Sequence, residues 1–161
     1  MTNARVTPWL IESLRQGFWA PGLVLVFWAL AAKGFAAYLR WPWLDMPTHF
    51  FGGIAAAYFI DVCVLNAGRL LGPLHRVFRV LLAFGLVAVC AVLWEFAEYG
   101  SDTFLGSHLN LGVEDTLHDL AFGLAGGLCG ALLSAFRTKP RIAPQVQAWV
   151  PNNTWSGRES Q

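Results

Sequence analysis

Charge is scarce in this chain: Asp, Glu, Lys and Arg together make up 13% of its residues. Average soluble domains carry about 25%, and a chain of this size still exposes much of its surface once folded. With 56% hydrophobic residues against so little charge, no adequate water-facing coat can be built, which argues against a soluble globular domain. Hydrocarbon as solvent removes the mismatch. The net charge is +1, with no basic patch interleaved with aromatics, so nucleic acid is not an expected partner.

Cysteine is scarce as well. Cys63, Cys90 and Cys129 lie in apolar stretches without metal-like spacing; they read as small hydrophobes, and no disulfide framework is expected. Common catalytic signatures are missing. There is no Gly-x-Ser-x-Gly elbow, no phosphate-binding Gly-rich loop with Lys, and no His-Glu-x-x-His helix.

What the chain does have is four long apolar stretches, over 17–38, 47–67, 78–99 and 116–136. Each is near the ~20 residues that cross a hydrocarbon layer of about 30 Å. Aromatics such as Trp19, Tyr38, Trp41, Trp43, Trp94 and Tyr99 gather toward their ends, where amphipathic rings favour the interface. The sequence thus predicts an all-α fold, a polytopic membrane helical bundle of about four transmembrane helices. Residues 1–16 read as a cytoplasmic N-terminal segment. Within and just beyond it, 9–17 is predicted to be an interfacial helix with Trp9, Leu10 and Leu14 against lipid. Residues 17–137 form the transmembrane domain, and 138–161, rich in Pro, Asn, Ser and Gln, read as a disordered cytoplasmic tail. Ala29-Leu30-Ala31 resembles a signal-peptidase site, but the apolar stretch continues past Lys33, so cleavage is not expected.

Lys and Arg orient the bundle. With a cytoplasmic N-terminus, Arg5, Arg15, Arg69, Arg76, Arg79, Arg137, Lys139, Arg141 and Arg158 all fall inside, whereas the outer loops hold Arg40 and nothing basic over 100–115. The positive-inside rule then places both termini in the cytoplasm, with the protein in the inner (plasma) membrane.

That topology gathers seven of the ten acids at the outer side, Asp45, Glu95, Glu98, Asp102, Glu114, Asp115 and Asp119, with three of the four histidines, His49, His108 and His118. Asp45 and His49 are four apart; Glu95, Glu98 and Asp102 fall at i, i+3 and i+7; Asp115, His118 and Asp119 at i, i+3 and i+4. Helical geometry puts each set on one side of its helix. An ionisable group in a span costs up to about 2.5–3.5 kcal/mol at the centre, so these groups should face one another within the bundle. The candidate metal ligands are therefore His49, Glu95, Glu98, His118 and Asp119, with Asp45, Asp102, Asp115 and Lys33 in supporting roles.

Two histidines and three carboxylates suit a divalent ion such as Zn, Mn or Fe. With a coordination position left open, the ion could activate water against a lipid or lipid-linked ligand. Two other readings stand beside this one: a proton or cation relay, and a non-catalytic polar core that sets helix register. Asp45 and Asp115 also suit helix capping, and Asp102, Glu114 and His108 suit a solvated loop. A haem between His49 and His118 is disfavoured by the surrounding carboxylates. Asp61 lies toward the other side and is expected to pair with Arg76 or Arg79. Small residues at Gly52, Gly53 and Ala56, and at Gly123, Gly126, Gly127 and Gly130, predict close packing of two helices.

The segments Asp45-Met-Pro-Thr-His49-Phe-Phe-Gly-Gly, Trp94-Glu-Phe-Ala-Glu98 and Glu114-Asp-Thr-Leu-His-Asp119-Leu resemble the YjdF-type inner-membrane proteins, an uncharacterised family. More loosely, they are similar to the VanZ-like family, which is associated with glycopeptide resistance. The resemblance covers roughly residues 40–135. It implies a helical membrane protein and assigns no reaction.

Overall fold

The computed structural model describes residues 3–136, Ala36 and His108 excepted; the expectations for His108 and for a disordered tail over 138–161 lie outside the described residues. The described residues contain helices and no strands. The helices are α1 (Asn3–Gly17), α2 (Trp19–Ala29), the short α3 (Ala37–Arg40), α4 (Asp45–Leu71), α5 (Arg76–Leu105) and α6 (Val113–Ala135). A π-helical turn, Leu30–Gly34, follows α2, and a 3-10 turn, Pro42–Leu44, leads into α4.

Among the described residues, α4, α5 and α6 are each long and apolar enough to cross a membrane. The first expected span is different. Its apolar run breaks into α2 and the π turn, and qualifies as a span only together with α1, from which it is bent by 58°. The bundle therefore has three straight candidate spans, and a fourth if the bent pair counts as one.

Burial explains why these stretches assemble. On α5 the buried residues are Arg79, Ala83, Val87, Glu95 and Glu98, a single narrow stripe at helical spacing. Its other faces expose Leu81, Leu86, Val89, Leu93 and Phe96, which suits a hydrocarbon solvent. On α6 the buried stripe is Asp119, Gly123, Gly126, Gly127, Gly130, Ala131 and Ser134.

These glycines let α6 approach α4 more closely than any helix with side chains could. A Cβ added at Gly53 would collide with the Gly123 carbonyl and stand 2.7 Å from the Gly127 amide nitrogen. One added at Gly126 would collide with the Phe50 carbonyl. Gly53 meets Gly123 while Gly130 meets Ile54 and Ala57, so the two helices run parallel, with α5 returning antiparallel alongside both. Without a hydrophobic force between helices in lipid, such backbone proximity supplies the packing energy. Positive φ at Gly72 (89°) and Gly106 (66°) ends α4 and α5, in conformations that a side chain would disfavour.

The bent pair lies along α4. Trp9 turns toward α4 and donates its indole N–H to the Cys63 carbonyl at 2.9 Å, which corrects the expectation that it faces lipid. An indole N–H away from water needs an acceptor, and the α4 backbone supplies one. Ser13, fully buried, accepts from Asn66 at 3.3 Å. Leu10 and Leu14 stay exposed on the opposite side, as expected.

At one end of the bundle, Asp61 on α4 accepts two hydrogen bonds from Arg79 on α5, the partner expected among the two arginines considered. The acidic groups gather at the other end.

Candidate metal centre

Three helices converge on this second end. His49 lies one turn into α4, Glu95 and Glu98 lie on α5, and Asp119 lies on α6. Each offers one ligand atom, and the four atoms all lie within 4.8 Å of one another. The glycine contact sets this proximity: Gly53 and Gly123 each follow their ligand, His49 and Asp119, by four residues, one turn deeper.

The group is well enclosed. Glu95 and Glu98 are each 6% exposed and Asp119 is 2% exposed. His49 Nε2 lies 3.5 Å from Asp45 Oδ1 and 3.7 Å from Asp119 Oδ1, and His49 Nδ1 lies 4.0 Å from Glu95 Oε1. These separations suit charge attraction but exceed good hydrogen-bond lengths. The buried Glu95 Oε2 has no hydrogen-bond partner. Such an orphan in a sealed site normally costs stability. Glu98, by contrast, accepts from the Trp94 indole at 2.8 Å, which fixes its carboxylate toward the group.

A neighbouring polar chain braces the first turn of α4. Thr48 donates to the Leu44 carbonyl at 2.8 Å. Its hydroxyl hydrogen being used, Thr48 accepts from the Tyr38 phenol at 3.1 Å.

The other expected residues divide clearly. His118 is exposed on α6 and does not join the four. At 100° per residue it sits away from the face that carries Asp119 and Gly123. Asp45 and Asp115 approach Asp119, giving a second trio of acids within 4.8 Å that shares one member with the first. Asp45 is not an N-cap: Leu44 holds that position, and Asp45 is the first residue of α4.

Asp102 lies on α5, which continues past the 78–99 stretch to Leu105 and so leaves Glu95 about 15 Å from the helix end. Its carboxylate accepts the backbone N–H groups of Leu109 and Asn110, both at 2.9 Å, so it organises the α5–α6 connection. Asp115 accepts from the Leu111 N–H at 2.9 Å, closing the turn that starts α6. Lys33 lies in the π turn; its side chain falls outside the described residues.

Sequence reasoning missed the Trp94–Glu98 bond and the Tyr38–Thr48 brace. The first was legible as an i, i+4 pair on one helix face. The second crosses two turns and carried no local signal.

No curated protein and no solved structure matches the chain. The sequence profile of a family described as "Predicted membrane protein" (DUF2238) matches residues 7–140, from within α1 to past the end of α6, a longer stretch than the motif resemblance covered. It is also the family of the YjdF-type proteins. A helical bundle with membrane-crossing helices and a profile match over most of its length place this chain in the DUF2238 family of membrane proteins.

Proposed function

We propose that His49, Glu95, Glu98 and Asp119 hold one divalent metal ion at this end of the bundle. The observation that carries the reading is the convergence of four enclosed donor groups from three helices, whose ligand atoms all lie within 4.8 Å of one another, with Glu95 Oε2 among them lacking a hydrogen bond. Buried acids in such number, with one histidine among them, are stable together only if some are protonated or a cation sits among them, and a metal ion is the cation this donor set suits. One imidazole and three carboxylates form an oxygen-rich set that suits Mn, Fe or a catalytic Zn better than a structural zinc site. The ion would supply Lewis acidity, and its remaining positions suit water or an oxygen of a lipid-linked ligand.

The positive-inside pattern supports an extracytoplasmic position for this end, since Arg76 and Arg79 start α5 at the other end. A proton relay has less support. About 18 Å of helix separates His49 from Asp61, and the core between them is Ala57, Ile60, Ala83, Val87 and Ala131. A purely structural network has less support as well, because His49 stands 4.0 Å from Glu95 and 3.7 Å from Asp119, with Asp45 nearer at 3.5 Å. The looser VanZ-like likeness assigns no activity here.

Metal content of the protein purified in mild detergent without chelator tests the reading. We expect one divalent ion per chain in the parent and in His118→Ala, and its loss in His49→Ala and Glu95→Ala. A folded parent without metal overturns it.

A further inference from the structure

A second feature adjoins the four ligands. Between α2, α4 and α5 lies an apolar cavity of about 200 Å³. Its floor is the small-residue face of α4, Gly52, Gly53 and Ala56, and its walls include Val24 and Leu25 of α2 and Cys90 of α5. His49 stands in the same wall, so the cavity and the candidate metal centre share a side chain.

The cavity is polar at one end only. Thr48, His49 and Trp94 lie at that end. The Thr48 hydroxyl is spent on Leu44, and the Trp94 indole on Glu98. The ring nitrogens of His49 turn to Asp45, Asp119 and Glu95, so Thr48, His49 and Trp94 leave the cavity itself an apolar lining. At the same level Trp28 meets Trp94 edge to face at 5.2 Å and bridges α2 to α5. From His49 to Ala56 on α4, and from Trp94 to Val87 on α5, the lining runs about 10 Å along the helices.

Two of the lining residues, Leu25 and Cys90, are also exposed on the outside of the bundle. The cavity is therefore continuous with the lipid-facing surface. An apolar cavity of about 150 Å³ stays dry and takes a molecule the size of benzene. This one has room for a longer apolar group, and the medium at its mouth is hydrocarbon.

We propose that this cavity seats the hydrocarbon chain of a membrane phospholipid whose head group lies at the His49 end of the bundle. What the head meets there, a metal-bound site for its phosphate oxygens, rests on the metal reading; the seat of the chain does not.

Gly52 provides the test. A Cβ there would meet only Val24 Cγ1, at 3.8 Å, so a side chain can enter the cavity without displacing backbone. The full chain is placed in phosphatidylcholine vesicles containing phosphatidylcholine with a mid-chain diazirine. After irradiation, adducts are mapped by peptide mass spectrometry in the parent, Gly52→Leu, Cys90→Phe and Glu95→Ala.

We expect adducts on the half-buried lining residues Trp28 and Ala91 in the parent, reduced at least fivefold in both filled variants. Adducts on the outward Leu81 and Phe96 should be unchanged, and thermal melting should show the variants folded. Equal labelling of Trp28 and Ala91 in the parent and a folded filled variant overturns the proposal. Glu95→Ala separates the two readings. Labelling retained in it supports the chain seat whether or not the parent holds metal, and a metal-bearing parent with equal labelling in Gly52→Leu sinks the chain seat alone.

Discussion

Arg79 directs both Nε and Nη2 at a single oxygen of Asp61, at 3.1 and 2.6 Å, and leaves the other carboxylate oxygen buried without a hydrogen-bond partner. Nη2 also reaches the Ser134 carbonyl at 3.4 Å, so one guanidinium ties α4, α5 and α6 together. Asp61 is 2% exposed and Arg79 is 8% exposed. Removing one partner of such a pair leaves an uncompensated buried charge, at a cost of about 3–5 kcal/mol, whereas replacing both is often neutral. Arg79→Leu alone should therefore strongly lower thermal stability in detergent, and Asp61→Leu/Arg79→Leu should recover most of the loss. A double variant no better than the single would contradict this account.

Gly52 and Gly53 are adjacent and should respond in opposite ways. Gly53→Ala forces its Cβ into the α6 backbone, and overpacking of this kind costs about 1–3 kcal/mol or more. Gly52→Ala meets open space at ordinary contact distance and should gain up to about 1 kcal/mol from helix propensity. Melting curves of the two variants side by side decide it.

Trp94→Phe removes the donor that fixes Glu98 and keeps an aromatic ring beside Trp28. If the four residues bind metal, loss of such an outer hydrogen bond weakens affinity by about 10–100-fold. Competition with a chelator of known affinity measures the shift, and unchanged affinity would remove Trp94 from the site.

His118 is exposed, and exposed substitutions away from special features usually change stability by less than about 0.5 kcal/mol. His118→Ala should therefore match the parent in both melting temperature and metal content. A clear loss of either would restore it to the group that the spacing suggested.

Much of the site was readable from spacing. His49, Glu95, Glu98 and Asp119 fall at corresponding depths once the helices are drawn, and burying ionisable groups in lipid makes them face inward. What sets His118 apart from the four is a matter of angle. Asp115, His118 and Asp119 share a broad side of α6, but only Asp119 continues into the glycine stripe at Gly123 and Gly127. Extending that stripe back by one turn would have selected Asp119 over its neighbour. Asp102 misled for another reason: α5 runs on to Leu105, so its last turn belongs to the following connection.

Composition and periodicity by themselves determined that the chain is helical, that its surface is apolar, and that most of its acids and histidines collect toward one end. Those properties follow from the solvent and the 3.6-residue repeat, which act on every segment locally. Only the tertiary structure decided that the first apolar run is bent at 58° from α1, that Trp9 faces α4, and that His49 rather than His118 joins Glu95, Glu98 and Asp119. Each depends on how helices distant in sequence rotate against one another. In lipid that rotation is set by the backbone contacts small residues permit, here Gly53 against Gly123, and no local pattern contains it.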